Sequence, residues 1–137
     1  MIKSIKISSI YVFDQDEALE FYVGKLGLEV SADMNFGPMR WLTVRAPGDA
    51  SRDILLEKVA PPSLSEDNAA RMKELIAAGA SGFAAGFTTD DIRSLYQSLL
   101  DQGVEITQEP VEQPYGTDIG LRDPFGNQLR ITQLAQA

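Results

Sequence analysis

The side chains that could do chemistry in this chain are carboxylates, arginines, lysines, tyrosines and hydroxyls, because its 137 residues include no His and no Cys. Without Cys there is no thiolate nucleophile, zinc thiolate site or disulfide. Without His there is no imidazole base, no His-ligated metal and no Ser-His-Asp triad. Any reaction must therefore use the remaining polar side chains or a bound cofactor.

The overall charge is acidic, since 20 Asp and Glu residues against 12 Lys and Arg residues give a formal net charge of −8. Nucleic acid is bound by cationic side chains that neutralise phosphates, so we expect no nucleic-acid partner. No apolar run is long enough to cross a bilayer, so we expect no membrane partner. The N-terminal segment MIKSIKISSIYVF is too polar for a signal peptide and, with disulfides excluded, predicts a cytoplasmic protein.

The first 60 residues predict a strand, a helix and three further strands. The segment 5–12 is β-branched and nearly alternating, which is typical of a strand. Asp14 is suitably placed to cap the helix that follows, with Glu17 three residues later as in a capping box. Gly27 is expected to end that helix in a left-handed conformation. The next strands are predicted at 29–36, 40–46 and 53–60.

A proline pair opens the segment 61–82, which we interpret as a structured linker. Within it the pattern predicts a helix beginning near Ser65. The spacing of Met72, Leu75 and Ile76 places these three side chains on one helix face.

The same order of elements then repeats. The segment 82–89 predicts a strand, and a helix follows with Asp90 as its N-cap and Gly103 at its end. Gly27 and Gly103 are 76 positions apart, and so are Asp14 and Asp90. Further strands are predicted at 104–112, 117–123 and 128–134. Matching caps, helices and strands indicate two copies of one β-α-β-β-β module.

The predicted fold class is α+β, with two paired β-α-β-β-β modules that form a curved mixed sheet around a cleft, helices outside. Neither module alone is large enough to bury both faces of its sheet, which favours the pairing. The cleft is then the natural ligand site. We expect a single domain over 1–137, with module one at 3–60, the helical linker at 61–82 and module two at 83–134.

Three segments resemble, in order, the signatures of the vicinal oxygen chelate superfamily of glyoxalases, bleomycin resistance proteins and extradiol dioxygenases. They are SIYVFDQDEALEFYVGKLGLEV, TTDDIRSLYQSLLDQGVEI and GLRDPFGNQLRITQ. The resemblance runs from about Ile5 to Gln133. It implies paired modules, a homodimer and, in the family's enzymes, one divalent metal held in the cleft by one ligand from each of four strands.

At the four positions where this resemblance implies metal ligands, the chain carries other residues. The first position is Ile7, the second is Leu55, and the third falls on Phe83 or Ala84 depending on the alignment. The fourth is Arg130, a cation where the family has a carboxylate. Alkyl, phenyl and guanidinium groups do not ligate divalent metals, so we expect no metal and no other cofactor.

Without a metal, the side chains expected in the cleft suggest an apolar, aromatic ligand site with few charges. Glu57 lies two residues beyond Leu55 and therefore on the same strand face. Glu57 and Arg130 would together orient a bound ligand. If the protein is an enzyme, these two residues are the catalytic candidates. The candidate ligand-binding residues are Ile7, Tyr11, Trp41, Leu55, Glu57, Phe83 and Arg130.

Six of these seven candidates also have a purely structural interpretation. Ile7, Leu55 and Phe83 could be ordinary core residues. Trp41 could lie at a dimer contact. Glu57 and Arg130 could pair with each other, because a lone buried charge is costly.

The DPFGN string has its own structural logic as a turn before the last strand. Pro124 presets the turn, and Gly126 and Asn127 both tolerate a positive φ. Arg122, just before the turn, is expected to be a structural hydrogen-bond donor there.

Three functions remain open at this point. The first is a metal-free binding protein that sequesters an antibiotic or another small ligand, as some members of the vicinal oxygen chelate superfamily do. The second is a lyase, isomerase or dioxygenase-like enzyme that uses Glu57 as general base with Arg130, or a nonstandard metal site at Glu57 and Asp53. The third is a structural or regulatory dimer without a small ligand.

Overall fold

The computed structural model describes residues 1–136 and divides into two compact units, Met1–Glu74 and the chain from Leu75 onward. Each unit contains one four-stranded mixed sheet, and three helices accompany the two sheets. The α+β class and the repeated β-α-β-β-β order predicted from the sequence are confirmed.

The first unit is built on a sheet with the strand order β1-β4-β3-β2. Its strands β1 and β4 run parallel, and the other neighbours are antiparallel. The elements are β1 (Ile7–Val12), α1 (Gln15–Leu19) with a π-helical continuation (Glu20–Lys25), β2 (Glu29–Phe36), β3 (Met39–Arg45) and β4 (Asp53–Lys58). The π-helical turns are a departure from the single regular helix that the sequence pattern predicts.

Alternation along these strands separates a buried face from an open one. Ile10 and Val12 of β1, Leu42 and Val44 of β3 and Leu56 of β4 are all buried. Because successive side chains point to opposite faces, their neighbours in sequence belong to the open face. That open face carries the candidate residues of the first unit.

The predicted ends of the first helix are confirmed. The Asp14 side chain accepts a hydrogen bond of 2.8 Å from the backbone N–H of Glu17. Gly27 has a φ of 81°, the left-handed conformation expected after the helix.

The linker helix α2 (Glu66–Ala77) begins where predicted, since Ser65 Oγ accepts from the backbone N–H of Asn68 at 3.1 Å. Its buried face is marked by Ala69 and Ile76, which are seven residues apart. The expectation that Leu75 shares this face is wrong, because Leu75 is 51% exposed. Successive residues on an α-helix are rotated by about 100° around its axis. Leu75 and Ile76 therefore cannot both lie at the centre of one narrow face.

The second unit repeats the topology of the first, with the strand order β5-β8-β7-β6 and β5 parallel to β8. Its elements are β5 (Phe83–Thr88), α3 (Ile92–Asp101), β6 (Glu105–Gln113), β7 (Gly116–Arg122) and β8 (Gln128–Leu134).

The N-cap of α3 is Asp91 and not Asp90, which corrects the sequence prediction. The Asp91 side chain accepts from the backbone N–H of Ser94 at 3.1 Å. Two adjacent aspartates are equally suitable caps by type, and burial of Ile92 at the first helical position decides between them.

The DPFGN turn is held by Asp123. One carboxylate oxygen of Asp123 accepts from the backbone N–H groups of Phe125, Gly126 and Asn127 at 3.0, 2.9 and 2.8 Å, and the other accepts from the Asn127 amide at 2.7 Å. Of the two residues that tolerate a positive φ, Gly126 adopts one, at 114°, whereas among the described residues no non-glycine does, Asn127 included. Asn127 instead serves the turn through its side-chain donor.

Arg122 ties this turn to the end of α2. Its Nε donates to the Gly126 carbonyl at 3.2 Å and its Nη2 donates to the Ala77 carbonyl at 2.8 Å. The predicted structural role of Arg122 is confirmed. The start of β8, two residues before Arg130, is therefore firmly positioned.

Within residues 1–136, no helix has both the length and the apolar character needed to cross a membrane.

Candidate functional site

The first unit contains a cavity of about 140 Å³ beside the open face of β3 and β4. Its lining is mixed, since Trp41, Leu55 and the proline pair 61–62 are apolar whereas Glu57 and Lys58 are charged. An apolar cavity of about 150 Å³ is large enough to bind benzene. This cavity therefore has room for roughly one aromatic ring of a ligand.

Glu57 is held in this wall by a neighbouring strand. Ser9 Oγ on β1 donates to Glu57 Oε2 at 2.9 Å, and Tyr11 is the register partner of Glu57 in the β1–β4 ladder. The structure thus brings Tyr11, Trp41, Leu55 and Glu57 to one open sheet face, three of them lining one cavity.

Arg40 also lines the cavity, but its charge is neutralised within the unit. Its Nε and Nη2 donate to the two carboxylate oxygens of Asp33 at 2.9 Å each, and its Nη1 donates to Asp16 at 2.8 Å. The hydrogen bond from Arg40 holds the pKa of Asp33 below its usual value, and the two carboxylates raise the pKa of Arg40. Arg40 is therefore an ion-paired residue of the cavity wall.

Gln15 closes the base of this region and was missed by sequence reasoning. Its amide Nε2 donates to the carbonyl of Arg40 at 3.1 Å and to the carbonyl of Leu56 at 2.9 Å. These bonds join the start of α1 to β3 and β4. A polar residue in the first helical turn is ordinary, so the sequence carries no signal for this role.

In the second unit, Arg130 lies on β8 between two glycines of the neighbouring strands, Gly86 on β5 and Gly120 on β7. Its guanidinium reaches diagonally to Asp118, with Nη2 at 2.7 Å and Nε at 3.2 Å from the same carboxylate oxygen. Nη2 also donates to Gln108 Oε1 at 2.8 Å. The Asp118 side chain is only 2% exposed, whereas that of Arg130 is 39% exposed.

Asp118 is the centre of this cluster and was not singled out by the sequence. Besides Arg130, it accepts from Tyr115 Oη at 3.0 Å and from Gln108 Nε2 at 3.0 Å. Burial by itself would raise the pKa of Asp118, but the hydrogen bonds from Arg130, Tyr115 and Gln108 outweigh it and lower that pKa. The same contact with Asp118 raises the pKa of Tyr115. The Asp118 carboxyl is thus ionised at neutral pH.

Arg130 consequently has a counter-ion within its own sheet. Glu57 is therefore not needed as the counter-ion of Arg130, because Asp118 already forms an ion pair with the guanidinium at 2.7 Å. Whether Glu57 and Arg130 share one ligand stays a prediction.

Ile7 and Phe83 are surface residues, since they are 41% and 64% exposed. The alternative that they are ordinary core residues is therefore wrong. The Phe83 ring covers Gly86, because a Cβ built on Gly86 would lie 3.1 Å from Phe83 Cζ. Leu55 is half-buried, in the cavity wall described above.

At the positions where the resemblance implies metal ligands, the side chains present do not fit a divalent cation. Ile7, Leu55 and either Phe83 or Ala84 carry no donor atom, and Arg130 places a cation at the fourth position. The carboxylate nearest to Arg130, Asp118, is already bound by the guanidinium. Among residues 1–136, no three Asp, Glu, His or Cys side chains gather into a group that could hold a metal ion.

Comparison with known proteins places this fold and site in a family. The family model described as Glyoxalase/Bleomycin resistance protein/Dioxygenase superfamily matches residues 4–131. The uncharacterized protein YurT of Bacillus subtilis (strain 168) is 35% identical over 130 residues, which cover 94% of this chain and 98% of YurT. The chain belongs to the glyoxalase/bleomycin resistance protein/dioxygenase superfamily.

Two solved structures are similar over nearly the whole chain. The crystal structure of UcmS2 has a TM-score of 0.90 and 37% identity, covering 96% of this chain and 98% of UcmS2. The crystal structure of TnmS3, described as an antibiotic binding protein from Streptomyces sp. CB03234, has a TM-score of 0.75 and 26% identity, covering 98% of each chain.

Proposed function

We propose that this protein binds a small, largely apolar molecule without a metal, and that it sequesters an antibiotic or a similar ligand. The observation that carries this proposal is the cavity beside Trp41 and Leu55 on the open face of the first sheet. Its size and the apolar part of its wall suit one ring of a larger ligand. The likeness to TnmS3, an antibiotic binding protein, supports the ligand class.

The metal-free part of the proposal is supported by the chemistry of position 130. A guanidinium bound to a buried carboxylate repels a cation and leaves that carboxylate no free ligating geometry. Binding would then depend on shape, apolar contact and a few hydrogen bonds.

The sole tryptophan gives a direct test. Because Trp41 lines the cavity, its fluorescence is expected to change when an aromatic antibiotic from a screening panel binds. Leu55→Gln places an amide in the cavity wall and is expected to weaken that binding roughly tenfold, because an unpaired buried polar group costs about 1–3 kcal/mol. Leu134→Gln, at a residue 60% exposed, is the matched control and should bind as the parent does. Equal affinity of the two variants would contradict the placement of the ligand.

A second candidate function rests on Glu57, a carboxylate in the cavity wall hydrogen-bonded by Ser9. We propose it as the general base of a lyase- or isomerase-like reaction on a ligand bound in this cavity. Glu57→Gln separates the two functions, because it would abolish turnover of a bound compound but leave a pure binding protein active.

We also propose that the protein is a homodimer. The β2–β3 hairpin at the edge of the first sheet exposes Met34 and Phe36 at 49% and 57%, and an apolar sheet edge is a surface that proteins normally cover. Light scattering is expected to give about twice the chain mass of 15.0 kDa. Phe36→Asp should shift the protein toward the monomer, whereas a parent protein that is monomeric at micromolar concentration would refute this proposal.

The single-domain organisation over 1–137 and the cytoplasmic location stay predictions of the sequence.

A further inference from the structure

The side-chain amide of Gln15 is fixed in one orientation by the backbone. Its Nε2 donates to the carbonyl of Arg40 at 3.1 Å and to the carbonyl of Leu56 at 2.9 Å, so both amide hydrogens are used. A rotated amide would place its oxygen against these two carbonyl oxygens, which cannot donate. The contacts themselves therefore determine which end of the Gln15 amide is nitrogen and which is oxygen.

The amide oxygen of Gln15 is left without a donor. Both hydrogen bonds of this side chain go through Nε2, and within residues 1–136 no group donates to Oε1. Gln15 is half-buried, and in the described part of the chain every buried side-chain oxygen has a partner, so Oε1 must reach open space. The open space that Gln15 lines is the cavity beside Trp41. This cavity thus has a neutral acceptor of fixed orientation in its wall.

Gln15 suits a neutral ligand better than the other acceptor in the wall, the Glu57 carboxylate. Glu57 accepts one hydrogen bond, from Ser9 Oγ, and a ligand that covered the rest of the carboxylate would have to strip water from a charge, which is costly. The Gln15 amide is neutral and is already held on two backbone carbonyls. A hydrogen bond to its oxygen therefore costs less desolvation and immobilises no side chain.

We propose that Gln15 is the residue that determines which ring the cavity accepts. The ligand carries an aromatic ring with a neutral O–H or N–H group, as a phenol or an aromatic amine does. That group donates to Gln15 Oε1 while the ring lies against Trp41. A volume of about 140 Å³ is room for one such ring. This inference rests on the proposed small-molecule binding and names the chemical class of the ligand.

Three para-substituted toluenes of nearly equal shape test the proposal. They are p-cresol with an O–H donor, p-toluidine with an N–H donor, and 4-fluorotoluene with no donor, and all three are uncharged at pH 7. Trp41 is the sole tryptophan and lines the cavity, so its indole N–H signal in NMR spectra of the full chain reports binding there. We expect p-cresol and p-toluidine each to bind roughly fivefold tighter than 4-fluorotoluene, the worth of one net hydrogen bond.

One variant and one control make the test specific. Gln15→Met keeps the length of the side chain but has no comparable acceptor, so we expect it to bind the three probes with nearly equal affinity. Gln97→Met is the matched control, since Gln97 is an exposed residue of α3 whose amide donates to Asp101 in the same helix. The control should keep the fivefold preference of the parent protein.

A second measurement on the parent protein does not depend on how well Gln15→Met folds. The carbon signal of the Gln15 side-chain carbonyl responds to a hydrogen bond at Oε1. We expect p-cresol at saturation to shift this signal and 4-fluorotoluene to leave it nearly unchanged. Equal shifts with the two probes would overturn the assignment of Gln15 as the acceptor.

The outcomes separate this inference from the proposed function. Equal affinity of the parent protein for all three probes overturns the role of Gln15 and leaves the cavity as the ligand site. A preference for the two donors that persists in Gln15→Met also overturns it, because another group of the wall would then accept the hydrogen bond. Absence of binding by all three overturns it as well, and the proposed function is then decided by the antibiotic screen alone.

Discussion

Arg130→Met is expected to destabilise the protein by about 2–3 kcal/mol at pH 7. The substitution leaves the Asp118 carboxylate, whose side chain is 2% exposed, without its cation. Removing one partner of a buried pair costs about 3–5 kcal/mol. The remaining hydrogen bonds from Tyr115 and Gln108, and the water that reaches the half-exposed position of Arg130, reduce this value.

Two double variants test which carboxylate is the counter-ion of Arg130. Arg130→Met with Asp118→Asn should recover most of the loss, because no buried charge remains. Arg130→Met with Glu57→Gln, the matched control, should recover none of it. Urea denaturation measures all four free energies of unfolding, and rescue by the Glu57 substitution would show that the Asp118 assignment is wrong.

The loss should also depend on pH. In the parent protein the pKa of Asp118 is lowered from its usual value of 3.8, so its ionised form contributes stability that is lost only as the pH falls through the folded-state pKa. In Arg130→Met, burial without the cation raises that pKa, so the carboxyl binds a proton more readily in the folded state. The penalty of the substitution is therefore expected to shrink between pH 7 and pH 4, and a constant penalty would contradict this cause.

Gly126→Ala is expected to cost about 3–4 kcal/mol, the largest effect of any single methyl group considered. Gly126 has a φ of 114°, which is strained for any other residue by about 1–3 kcal/mol. A Cβ there would also overlap the Ile76 carbonyl oxygen and lie 2.7 Å from Arg122 Nη2. The first of these contacts is with backbone, so the turn or the end of α2 must shift, and overpacking of this kind costs about 1–3 kcal/mol.

Gly27→Ala is the matched control for Gly126→Ala. Gly27 has a φ of 81°, but a Cβ there has no heavy atom within 4 Å outside its own chain neighbours. It should therefore show only the conformational cost, about 1–2 kcal/mol. Similar losses for the two variants in thermal or urea denaturation would mean that the DPFGN turn is not packed against α2 as described.

Most of the fold could be predicted because strands and caps have local signals. The predicted strands at 29–36 and 128–134 match β2 and β8 residue for residue, since alternation and turn residues define both ends. One error occurs where two residues carry the same local signal. Asp90 and Asp91 are both suitable caps, and only the burial of Ile92 selects the second.

The candidate site could be predicted less completely, because its residues depend on contacts between strands. Strand parity put Leu55 and Glu57 on one face in the sequence analysis, and the structure places both, with Trp41, in the wall of one cavity. Gln15 reaches the same region from a helix, and the alternation of strand residues gives no information about helical side chains.

Asp118 was missed although the sequence holds a usable signal for it. The DPFGN turn makes β7 and β8 an antiparallel pair, with Arg122 opposite Gln128. Continuing the pairing from there puts Gly120 opposite Arg130 and Asp118 two residues further along β7, on the same sheet face as Arg130. Long side chains in such a diagonal arrangement can contact each other. An acidic residue followed by the buried Ile119 is the unusual feature that could have prompted this count.

The central claim is that this chain binds its ligand without the metal of its family. The most direct measurement is calorimetric titration of an aromatic antibiotic that changes Trp41 fluorescence into the full chain after dialysis against EDTA, and again with excess Mn²⁺. We predict the same dissociation constant in both conditions, because no group at the family's four ligand positions can hold the ion. Binding that is lost in EDTA and restored tenfold or more by Mn²⁺ would contradict the account.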